Sequence, residues 1–162
     1  MQSSNRTASY DTALIPIGEK EYFQAGTDIV EGHQVRLRGA QLTGVPAGIH
    51  VDGIYAVNWH EYARRSTIGA LPEDFRGGVR DLYPDLRLHP VTDAVLDAHS
   101  TTGWYVVVVA AGTKPGDWTS TGITFDYTDV KTGDTGSAHY GMRLHFRVAG
   151  GATPWPSASP AS

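Results

Sequence analysis

A chain of 162 residues, 40% hydrophobic and 19% charged, has the length of one ordinary domain and can bury about two-thirds of its unfolded surface without a covalent staple. Its formal charge of −4 gives no dense basic face, which excludes nucleic acid as an expected partner. With no cysteine, disulfides, zinc–thiolate sites, iron–sulfur clusters and thiolate-bound copper are excluded as well.

Residues 1–12 are polar and rich in Ser, Thr and Asn, and read as a flexible N-terminal arm. They contain no apolar core of a signal peptide, and no run in the chain approaches the roughly 18–20 apolar residues of a membrane helix. If the protein is exported, its targeting segment is expected outside this chain. Residues 13–149 carry the fold, and the dominant period there is two. Val35 and Leu37 share one parity, whereas Ala40 and Leu42 have the other, so a β-bulge at Gly39 would keep both pairs facing the core. Ile49–Trp59 reads as a strand interrupted at Asp52–Gly53. The stretch from Glu61 to Asp85 has no such period and forms a long irregular insertion. Within it, Pro72 and the acids after it suit a single helical turn over Leu71–Phe75, stopped by Gly77 and Gly78. A connection of that length marks a functional or mobile loop.

Trp104–Ala111 is apolar on both faces and dense in valine, which predicts a central strand covered on both sides. Pro115–Gly116 then turns the chain. Ile123, Phe125 and Tyr127 alternate with polar residues, and the turn-forming stretch after them predicts a hairpin onto a strand over Ala138–Val148. In that strand Tyr140, Met142, Leu144, Phe146 and Val148 take one face, and His139, Gly141, Arg143, His145 and Arg147 the other. Residues 150–162 form a Pro/Ser/Ala-rich tail whose one large apolar side chain is Trp155. About seven strands with turns every 8–12 residues predict an all-β, two-layer antiparallel sandwich. Its expected core includes Val106, Val108, Ile123, Phe125, Leu144 and Phe146.

The segment Gly103–Asp129 places an apolar strand before a Pro-Gly turn and then the strand Gly122-Ile123-Thr124-Phe125-Asp126-Tyr127. In this it resembles the closing half of immunoglobulin-like sandwich domains in uncharacterised bacterial envelope proteins. The resemblance covers the last third of the chain. It implies an extracytoplasmic module anchored to a membrane or wall, and carries over no catalytic residue. The missing cysteine pair and the Glu61–Asp85 insertion depart from the better-known immunoglobulin pattern.

Candidate chemistry is sparse. Asp134-Thr135-Gly136-Ser137 matches the short aspartic-protease motif, but turn residues precede it instead of an apolar strand, and a second carboxylate is needed to share the proton. It reads as a turn. His60-Glu61 begins like a zincin motif, yet Arg64 stands where the second histidine should be. His139 and His145 share a face but lie about 20 Å apart along one strand, too far to hold one ion. No cofactor and no metal are therefore expected. Among the four tryptophans, Trp104 reads as core, while Trp118 follows a turn and is a candidate platform for a sugar. His139, Arg143, His145 and Arg147 form a positive stripe in an acidic protein, with Asp126 of the right parity to neutralise it. No nucleophile elbow or phosphate loop is present. These readings favour a non-enzymatic extracytoplasmic binding or structural module, part of a larger membrane- or wall-anchored protein, that docks a protein or an envelope polymer through the stripe and Trp118. A carbohydrate- or metal-binding sandwich is the alternative, and a hydrolase of unrecognised type comes last.

Overall fold

The computed structural model describes residues 9–25, 33–62, 87–97, 102–141 and 143–150. The alternation of apolar and polar residues becomes strands nearly throughout: β1 (Ser9–Ile15), β2 (Lys20–Ala25), β3 (Val35–Thr43), β4 (Ile49–Asn58), β5 (His89–Pro90), β6 (Val95–Leu96), β7 (Trp104–Gly112), β8 (Gly116–Thr119), β9 (Gly122–Asp129), β10 (Thr135–Tyr140) and β11 (Arg143–Val148). Single 3-10 turns occupy Trp59–Tyr62 and Val91–Asp93. There is no α-helix among the described residues, and no helix there is long and apolar enough to cross a membrane. The sequence-predicted helical turn at Leu71–Phe75, most of the insertion, and the tail beyond Gly150 lie outside the described residues.

The protein is all-β, with eleven strands in three sheets of order β1-β11-β8, β10-β9-β3-β6 and β2-β7-β4-β5. Two expectations need correction. About seven strands were expected, but β5 and β6 are only two residues long, too short to leave any periodic signal. All pairs were expected to be antiparallel, yet β1 runs parallel to β11. That pairing also moves a boundary: residues 9–12, expected in a flexible arm, are part of β1, with the backbone in register against Arg143–Val148.

β7 lies between β2 and β4 and is buried along nearly its whole length. Its alternation divides the apolar side chains between two clusters. Val106, Val108 and Ala110 join the main core with Phe23, Leu37, Leu42, Ile123, Phe125, Leu144 and Phe146. Tyr105, Val107 and Val109 face the other way and pack with Val57, under Tyr22, Tyr55 and Leu88. All six core residues expected from the sequence are fully buried. The parity flip in β3 is a bulge, with the register shifting between Leu37 and Gly39 against β9. In β4 a second shift between Val51 and Gly53 leaves one continuous strand with Asp52 as the extra residue, so the expected interruption is a bulge as well.

The expected strand Ala138–Val148 is two strands. β10 pairs with β9, whereas β11 pairs with β8 in a different sheet. β8 and β9 are themselves consecutive, so the two sheets are the arms of one hairpin bent after Ser120 on one strand and between Tyr140 and Arg143 on the other. At the corner the Ser120 amide donates to the Leu144 carbonyl at 3.0 Å, while the Leu144 amide donates to the Ser120 hydroxyl, also at 3.0 Å. A side-chain oxygen thus replaces a ladder carbonyl where the sheet turns. At the far end of the hairpin, Asp129 Oδ1 accepts the amides of Lys131 and Thr132 at 2.8 and 3.0 Å, and Gly133 supplies the positive φ of 77° that closes the tip.

Candidate functional site

On β11, Leu144, Phe146 and Val148 are buried, so pleating sends Arg143, His145 and Arg147 outward. Both arginines are exposed and His145 is half-buried. The strand on one side is β8, where Thr119 stands opposite His145 and Asp117 opposite Arg147. Asp117 Oδ1 lies 3.7 Å from His145 Nε2 and 3.7 Å from Arg147 Nε, so one carboxylate faces both side chains. On the other side β1 places Asp11 in register with His145 and Ser9 with Arg143. Arg143 has no ion pair among the described residues, and the row ends on its exposed guanidinium.

The structure places the other sequence candidates elsewhere. His139 lies on β10, across the corner from Arg143, and its Nδ1 is 3.2 Å from the Thr124 hydroxyl. Asp126, expected to face the stripe, accepts a hydrogen bond from the Ser137 hydroxyl on the β9–β10 arm. It has the right parity on the wrong arm, because β11 leaves β9 at the corner and takes β8 as partner. Trp118 packs against the main core and donates its Nε1 hydrogen to the Lys114 carbonyl at 2.8 Å. Its ring also lies where a β-carbon on Gly48 would stand. Asp134 sits in the hairpin tip, where its amide donates to the Thr132 hydroxyl, and Thr135–Ser137 continue into β10.

One cluster escaped the sequence reading. His89 on β5 places Nε2 at 2.7 Å from Glu61 Oε1 and Nδ1 at 3.9 Å from Asp93 Oδ2. Its ring meets Trp104 edge-on, with centroids 5.3 Å apart. His60 diverges from its neighbour Glu61 and lies against Gly103, close to Asn58. Glu61 orients the imidazole by a hydrogen bond and Asp93 lies beyond hydrogen-bond reach, while catalysis needs in addition a nucleophile or a reacting group. No group of three or more His, Asp or Glu able to hold a metal ion exists among the described residues. Glu61 and His89 are 28 positions apart, and the β4–β5 pairing brings them together.

Compared with known proteins, the chain matches no family model, no curated protein and no solved structure. Function therefore rests on the chemistry of these surfaces.

Proposed function

We infer that the protein is a non-enzymatic binding or structural module of the immunoglobulin-like sandwich type. In this reading it acts outside the membrane as part of a larger membrane- or wall-anchored protein, and docks an anionic protein surface or envelope polymer on the outer face of β11. The observation that carries the reading is the Arg143–His145–Arg147 row, whose Arg143 end meets no acid among the described residues. An exposed guanidinium of this kind can pair with carboxylate or phosphate in two parallel hydrogen bonds, so the row favours planar anionic groups over neutral sugars.

The test is binding of a panel of soluble anionic polymers by wild type and by Arg143→Glu/Arg147→Glu. Wild type should bind with an affinity that falls as salt rises, because exposed charges are screened beyond about 10 Å at 0.1 M. The variant should lose both the binding and its salt dependence. Equal affinity and equal salt response in the two proteins would reduce the row to a solvated face.

A further inference from the structure

The β11 row is also a balance of charge. Arg143 and Arg147 stand on the strand itself, while Asp117 lies opposite Arg147 on β8 and Asp11 is in register with His145 on β1. Two arginines and two aspartates cancel, so this set carries no net charge while His145 is neutral and +1 once its ring is protonated. No other histidine belongs to β1, β8 or β11. The remaining described histidines stand elsewhere: His33 beside Asp129, His50 on β4, His60 next to Glu61, His89 bonded to Glu61, and His139 on β10.

Asp117 is where the balance turns. Its Oδ1 is equidistant from His145 Nε2 and Arg147 Nε, at 3.7 Å from each. The carboxylate and the guanidinium are well exposed, and the imidazole between them keeps 20% of its side chain in solvent. A neutral ring leaves the carboxylate charge to Arg147. A protonated ring draws on the same oxygen, and the guanidinium then turns more of its positive field toward solvent. An arriving anion meets one more positive charge, at the middle of the row. The charged groups around His145 are thus Arg143 and Arg147 along β11, Asp117 on β8 and Asp11 in register on β1, while Thr119 directly opposite is uncharged.

We propose that His145 is a proton-operated switch on the β11 row, so that docking of an anionic partner tightens as pH falls from about 8 to about 5.5, the range in which histidine changes charge. The inference rests on the docking function proposed above and adds its regulation. It also has a reciprocal consequence. If the proton strengthens binding of the anion, the bound anion must by the same factor strengthen binding of the proton. The partner would then be held in a mildly acidic surrounding and released in a neutral one.

The experiment is calorimetric titration of the full chain with dextran sulfate, whose sulfate esters stay ionised throughout, at constant ionic strength and at about pH 5.5 and about pH 8. Wild type should bind about two- to fivefold more tightly at the lower pH, the scale of one exposed charge pair. His145→Gln should flatten that step, and His145→Lys should hold the tight state at both pH values. His50→Gln, which removes an exposed histidine from β4, should keep the step. A measurement on wild type alone complements the variants: the His145 ring signals in NMR should titrate at a higher pH with the polymer than without it. Binding that is lost in Arg143→Glu/Arg147→Glu but equal at the two pH values would overturn the switch and leave the docking function standing. A full step in His145→Gln would do the same, assigning the effect to general charging of the seven histidines. Absence of binding at both pH values would sink the switch and the docking function together. Equal thermal midpoints of wild type and variants verify the fold.

Discussion

Ser120 performs a task that backbone carbonyls perform elsewhere in the sheets. Its hydroxyl is the acceptor for the Leu144 amide in a place that water does not reach, with Ser120 at 1% and Leu144 at 0% exposure. Ser120→Ala should leave that amide without a partner and cost about 1–3 kcal/mol. In urea the midpoint should fall with an unchanged slope, and Ser120→Thr, which keeps the oxygen, should recover part of the loss. At the hairpin tip, Asp129 is also held by backbone amides. The Thr132 amide first, then that of Lys131 and the nearby His33, hold its carboxyl below the ordinary aspartate value. A carboxyl with a depressed native-state pKa contributes stability above the unfolded value of about 3.9 and loses it as pH falls through the native one. Asp129→Ala should therefore lower the thermal midpoint by a steady amount between about pH 5 and 8, and the deficit should shrink below about pH 4. A deficit that does not change down to pH 2 would show that the carboxylate charge contributes nothing.

Among the elements, β11 links more of the molecule than any reading of its own residues suggests. Phe146 is completely buried and meets Phe23 of β2 edge-on, with ring centroids 5.0 Å apart. The contact joins the β1-β11-β8 sheet to the β2-β7-β4-β5 sheet. Phe146→Ala should cost about 3–5 kcal/mol, read as a loss of the unfolding midpoint in denaturant. A loss below 1 kcal/mol would mean that the site collapses onto the gap. Burial of this strand was legible because Leu144, Phe146 and Val148 alternate with charged residues. β7 was legible for a different reason: valines on both faces need cover on both sides. The Gly39 bulge showed itself as a change of parity. The corner between Tyr140 and Arg143 left no such trace, since Tyr140 and Leu144 face the same way on either side of it. The same limit applied to the candidate face. Arg143, His145 and Arg147 could be read from one strand, but their acid could not, because Asp117 becomes their neighbour only through the register of β8 on β11. His89 and Glu61 were hidden likewise by a pairing two residues long.

For the whole molecule, the core holds itself together by apolar contact between sheets. With no cysteine in the chain and no cluster of three metal ligands among the described residues, folding should need no ion. Thermal melting curves with and without a strong chelator should superimpose, and a fall of many degrees on chelation would reveal a structural metal. The parallel pairing of β1 with β11 has a consequence in time. Among the described residues, Ser9–Ile15 finds its strand partner only in Arg143–Val148, far along the chain. During synthesis at roughly 5–20 residues per second, the first strand would wait on the order of ten seconds for the last to leave the ribosome. Until then β1 has no edge to lie on, and the loop it must close runs from Ile15 to Arg143. Such distant contacts slow the final step of folding. In a nascent chain, β1 should therefore gain protection from proteases only with β11, although of the described strands it is made first.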